Sequence, residues 1–120
     1  MEYKITYYND SVQQEILNLP SAFQAKYLAL TDRMEKYGSD LGMPHTKALS
    51  GGLFELRLKS ADGIARVMYC TVIHREITML HSFIKKTQKT PKKDLAIARK
   101  RLKEVQNAYA RRIKEKNACR

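Results

Sequence analysis

Apolar and polar positions are patterned from the first residues. Tyr3, Ile5 and Tyr7 alternate with polar neighbours over 3–8, which predicts a strand. Asn9, Asp10 and Ser11 are good helix caps and open a short helix with Val12, Ile16 and Leu19 on its buried face. Pro20 and Ser21 break that helix and start a second one. There Phe23, Tyr27, Leu30, Met34 and Tyr37 recur at helical spacing, and Gly38 supplies the stop. A stripe of this kind is core rather than a binding box.

Residues 38–52 hold four of the five glycines and one of the three prolines, which predicts a loop. Three strands follow it. In 53–59, Phe54, Leu56 and Leu58 alternate with Glu55, Arg57 and Lys59. Asp62 and Gly63 have hairpin-turn chemistry, and 64–73 reads as an inner strand. After a short connection at His74 and Arg75 comes a strand over 76–84. Ile77, Met79, His81 and Phe83 are expected on one face, and Thr78, Leu80, Ser82 and Ile84 on the other. A polar stretch ends at Pro91, and a long helix is predicted from Lys92 to about Glu115, with Leu95, Ala98, Leu102, Val105 and Tyr109 as its apolar stripe.

The predicted order is β-α-α-β-β-β-α, an α+β fold. It would have a small antiparallel sheet, joined by the N-terminal strand, with helices packed on one face. The opposite face would be concave and partly open, the place to search for chemistry. Residues 1–120 are expected to form one domain, with 115–120 a frayed tail.

The composition is consistent with this. The 120 residues are 43% apolar, enough for a core and too much for wholesale disorder. No apolar run approaches the roughly 18–20 residues that span a bilayer, and the first residues lack a signal-peptide pattern. Cys70 and Cys119 have neither metal-ligand spacing nor a disulfide framework. The expectation is a cytoplasmic protein without membrane contact.

Charge changes the picture most. Residues 1–80 contain nine Lys/Arg and nine Asp/Glu, whereas 81–120 contain fourteen and three, so the whole net charge of +11 lies in the last third. Such a field attracts a polyanion by steering and counterion release. A solvated basic helix is the plain alternative, but nine Lys/Arg against one acid between Lys85 and Lys103 favour a nucleic acid.

No phosphate-binding glycine loop, zinc motif or nucleophile elbow is present. His45, His74 and His81 are too scattered to argue a metal site. A lone strand histidine such as His81 is more often structural than catalytic, yet it is the handiest proton carrier near neutral pH. The remaining chemistry is cationic. Arg57 sits mid-strand, opposite the face of Phe54, Leu56 and Leu58, where a guanidinium is costly unless it meets an anion or water. Pairing with Glu55, Glu76 or Asp62 is an equal alternative. Arg66, with the cluster Lys85–Lys89, favours an anion site.

Three segments carry a family resemblance: GGLFELRLK (51–59), ARVMY (65–69) and LHSFIKKTQKTP (80–91). They resemble the RelE-like toxins of bacterial type II toxin–antitoxin pairs, in the HigB-like, phage-derived branch. The resemblance implies a ribosome-dependent mRNA endoribonuclease that needs no metal or other cofactor. In such an enzyme the ribose 2′-OH attacks the adjacent phosphodiester. It further implies a cognate antitoxin, generally with a helix-turn-helix domain, besides the ribosome and mRNA. Carried over by position, it implies catalytic roles for Arg66, Arg57, Lys85, Lys86 and His81. Lys59, Phe83, Lys89, Lys92 and Lys93 would contact RNA. Glu55 stands where some relatives have a lysine, Tyr109 reads as packing, and the base and acid stay unassigned. The alternatives are a non-catalytic basic nucleic-acid-binding or regulatory protein of the same fold, and a protein-binding module docking an acidic partner.

Overall fold

A computed structural model describes residues 2–61, 63–85 and 91–118. The elements are β1 (Lys4–Tyr7), α1 (Asp10–Leu17), α2 (Ser21–Tyr37), β2 (Thr46–Ser50), β3 (Leu53–Ser60), β4 (Gly63–Cys70), β5 (Glu76–Lys85) and α3 (Lys92–Ala118). The α+β class holds. The five strands lie in the order β1-β5-β4-β3-β2.

Several particulars differ from the sequence-based expectation. The sheet is mixed, because β1 runs parallel to β5 while the other pairs are antiparallel. A strand, β2, lies within the glycine-rich segment read as loop. The following strand, β4, stops at Cys70 rather than Ile73. The last helix, α3, continues to Ala118, into the segment expected to fray, and residues 119–120 lie outside the described residues.

The helices are not confined to one face. On one side α1 and α2 bury Val12, Ile16, Phe23, Tyr27, Leu30 and Met34 against Leu56, Leu58, Ala65, Val67, Tyr69, Ile77 and Met79. On the other side α3 covers part of the sheet, with Ala98 and Leu102 over Leu53, Met68, Cys70 and Leu80. Tyr37, expected on the buried stripe, is the last residue of α2 and is 76% exposed. Asn9 caps α1 as expected, its side-chain oxygen accepting from the Val12 N–H at 2.9 Å.

A β-bulge in β5 decides which side chains meet. Met68 pairs with His81 and Tyr69 with Met79, so Leu80 is the extra residue. The predicted single face of Ile77, Met79, His81 and Phe83 is therefore split. Ile77 and Met79 face α1 and α2, whereas Leu80 turns to the α3 side together with His81, Phe83 and Lys85. The Leu80 carbonyl accepts a 2.7 Å hydrogen bond from Arg101 of α3, which satisfies a group displaced from the ladder. Among the described residues no helix is long and apolar enough to cross a membrane.

Candidate functional site

The sheet face that α3 partly covers presents a three-by-three grid. Its rows are Glu55–Met68–His81, Arg57–Arg66–Phe83 and Lys59–Ile64–Lys85, each read across β3, β4 and β5. Alternation along each strand puts these nine side chains on one face. Of the positions implied from sequence, Arg57, Arg66, His81, Phe83, Lys85 and Lys59 are thus brought together. Lys92 and Lys93 are exposed in the first turn of α3. Lys86 and Lys89 lie outside the described residues.

Arg57 and Arg66 are directly opposed, an arrangement that repels unless an anion intervenes. Glu55 intervenes. One of its oxygens, Oε1, accepts from Arg66 Nη1 at 2.8 Å and lies 3.6 Å from Arg57 Nε. Glu55 is 1% exposed and Arg66 3%, so this is an ion pair in the interior. Arg66 lies within β4 rather than at its start. Of the pairings considered for Arg57, the one with Glu55 is formed.

Lys85 ends β5 and is also buried. Its Nζ has no hydrogen-bond partner among the described residues. Burial and then the nearby Arg66 charge push its pKa below the ordinary lysine value of 10.5, against weaker opposing pulls from Glu55 and Asp94. Arg57 and Arg66 thus converge on the Glu55 carboxylate, and Lys85 stands near Arg66 within the weaker pull of Glu55 and Asp94.

His81 adds a proton-handling group. Its Nε2 lies 2.7 Å from Oδ1 of Asp94, in the first turn of α3, and its ring stacks on Phe83 with centroids 5.8 Å apart. Asp94 was not singled out from sequence. The available signal was that it is the one acid between Lys85 and Lys103. Its Oδ1 fixes the imidazole orientation, and His81 Nδ1 has no partner among the described residues.

Lys85 sets up a stability test. An ammonium disfavoured by the fold binds its proton more weakly there than in the unfolded chain, so stability rises with pH between the lowered value and 10.5. Lys85→Met removes that penalty while filling the same space. Its melting temperature should exceed that of the parent by a few degrees at pH 7, and the gap should close as the pH approaches 10.5. A lower melting temperature at pH 7 would contradict the reading of an unpartnered buried charge.

The family model for phage-derived Gp49-like proteins matches residues 14–103. The chain belongs to the Gp49-like family. Among solved structures, a doubly substituted E. coli toxin RelE in the free state is similar to this Gp49-like chain with a TM-score of 0.61 and 14% identity. That match covers 84% of this chain and 98% of the other. The archaeal RelE from Pyrococcus horikoshii OT3, solved in complex with RelB, is similar with a TM-score of 0.51 and 22% identity, covering 70% and 96%. The expected RelE-like fold is thus the fold these two structures share with this chain. No curated protein matches the sequence of this Gp49-like chain.

Proposed function

We propose that this chain is the toxin of a type II toxin–antitoxin pair and cuts mRNA on the ribosome by attack of a ribose 2′-OH. The observation that carries the reading is that two buried cations, Arg66 and Lys85, stand on one sheet face with Arg57, cations of the kind that would stabilise an anion becoming more negative in the transition state. The RelE fold and the family support a toxin role, and the RelE solved with RelB supports an antitoxin as partner.

In the proposed step the 2′-OH loses its proton to a base, and the O2′–P bond forms. The P–O5′ bond then breaks and the departing 5′-oxygen takes a proton. The products are a 2′,3′-cyclic phosphate and a 5′-hydroxyl. Arg66, fixed on a strand by Glu55, is already oriented towards the pentavalent phosphorus when its charge grows. Lys85, whose ammonium is disfavoured by burial, gives up its proton more readily than an ordinary lysine, and His81, hydrogen-bonded to Asp94, supplies a second proton carrier on the same sheet face. The nucleophile belongs to the RNA, so the step requires no metal and spares DNA. Phe83, half-buried in the grid, offers a surface for a base, and Lys59, Lys92 and Lys93 offer exposed phosphate contacts.

The test is induction in growing cells followed by mapping of mRNA 5′ ends. New 5′-hydroxyl ends within translated frames, suppressed by a co-expressed neighbouring helix-turn-helix protein, are expected. Growth arrest without new ends would overturn the cleavage step. One observation favours a second reading: Arg66 is engaged by a buried carboxylate, as in a protein that binds nucleic acid without cutting it. Binding of translated mRNA with no new ends would select that reading.

Salt dependence follows from the charge distribution. Neutralising about six phosphates should cost roughly three decades of ribosome or RNA affinity between 50 and 200 mM salt. A flat response in a binding titration would remove the basic segment as the main polyanion contact.

A further inference from the structure

Beside the cationic grid lies a second cavity of about 240 Å³, lined by Lys26, Pro44, His45, Arg57, Lys59 and Ile64. Three cations and an imidazole surround two apolar side chains, and none of the described lining residues is a carboxylate. Its volume is below the roughly 300–1,000 Å³ of sites that enclose a drug-sized ligand, so it suits a small planar or anionic fragment.

The wall is built rather than incidental. The Arg57 N–H donates to the His45 carbonyl at 2.9 Å, which continues the β2–β3 pairing and sets His45 opposite Arg57. The turn behind it is closed by hydrogen bonds. The Gly42 N–H donates to Asp40 Oδ1 at 3.0 Å and to Thr46 Oγ1 at 2.9 Å, and the His45 N–H donates to the Gly42 carbonyl at 3.0 Å. From the far side α2 contributes Lys26. A larger hollow of about 700 Å³ between α1 and the end of β5 is lined by Asp10 and Glu15, whose charge repels a polyanion.

Arg57 is shared. It lines this cavity and faces Arg66 across the β3–β4 ladder, where paired Cα atoms lie about 5 Å apart. A strand of RNA with its reacting phosphate on Arg66 therefore has a neighbouring nucleotide within reach of the cavity. We propose that the cavity holds the nucleotide adjoining the cleaved phosphodiester, with its base against Pro44 and Ile64, its phosphate on Lys26, Arg57 and Lys59, and His45 at the base edge. This rests on the RNA reading above and extends it to a subsite formed by α2 and the turn before β2.

The test uses the full chain and two probes, a 2′-O-methyl tetraribonucleotide that cannot be cleaved and inorganic phosphate. By NMR titration the His45 ring resonances should move with the oligonucleotide and stay put with inorganic phosphate at equal concentration. Lys26→Ala and His45→Ala should each weaken oligonucleotide binding about fivefold, on the order of 1 kcal/mol. Unchanged affinity in both variants, with Arg66→Lys still weakening the same oligonucleotide, overturns the cavity assignment and leaves the RNA reading standing. Movement of His45 with inorganic phosphate alone makes the cavity a free-anion site and also overturns it. Unmoved His45 resonances at millimolar oligonucleotide overturn it as well, while the mapping of mRNA ends decides the RNA reading separately.

Discussion

Arg66→Ala should abolish mRNA cleavage and also destabilise the protein, two effects with separate causes. Losing a preoriented donor to the transition state costs about 10²–10³ in rate. Losing the Arg66 guanidinium at 2.8 Å leaves the 1% exposed Glu55 carboxylate buried without that partner, and breaking such a pair typically costs about 3–5 kcal/mol. Inactivity of the Ala variant alone would therefore prove little. Arg66→Lys keeps the charge and loses the planar fork, so it should remain folded with partial activity. The double variant Glu55→Gln, Arg66→Met removes both charges, should recover much of the stability, and should stay inactive. Melting curves and mapped mRNA ends read the two effects independently. A folded double variant that still cuts translated mRNA sinks the assignment of Arg66.

Leu102→Asp should release α3 from the sheet. Leu102 is 5% exposed in the smaller core, against Leu53, Met68, Cys70 and Leu80, and a carboxylate there has no partner to offset its desolvation. The expected loss is roughly 3 kcal/mol or more. The larger core contains no α3 residue, so the sheet with α1 and α2 should melt in a separate, later transition. Asp94 leaves with α3, so His81 loses its hydrogen bond and cleavage should fall with the helix. Lys100→Ala, at an exposed position of the same helix, should stay within about 0.5 kcal/mol of the parent. Calorimetry compares the two. Equal, small effects would mean that the helix packs through another face.

Period and punctuation read α1, α2 and α3 correctly because they report local geometry. Asn9 caps where a cap was expected, and the stripe of Phe23, Tyr27, Leu30 and Met34 is buried. The stripe failed at Tyr37, the last residue of the helix, which has no following turn to carry the packing on. Alternation along 53–59 placed Arg57 away from Leu56 and Leu58 for the same local reason. It missed β2, because glycines and a proline mask a strand whose stability comes from pairing with β3.

What the sequence determined by itself was every element except β2, the α+β class and the segregation of basic charge into residues 81–120. The tertiary structure decided which residues meet. One extra residue at Leu80 reversed the facing of the last part of β5, and strict alternation cannot register such an insertion. That reversal puts Lys85 on the face of Arg66 and His81 within reach of Asp94, thirteen positions along the chain. Glu55 reads as an ordinary polar strand position until the ladder sets Arg57 and Arg66 opposite each other with its carboxylate between them. Such pairings depend on register and on which helix covers which face, and those are settled only when the whole sheet is assembled.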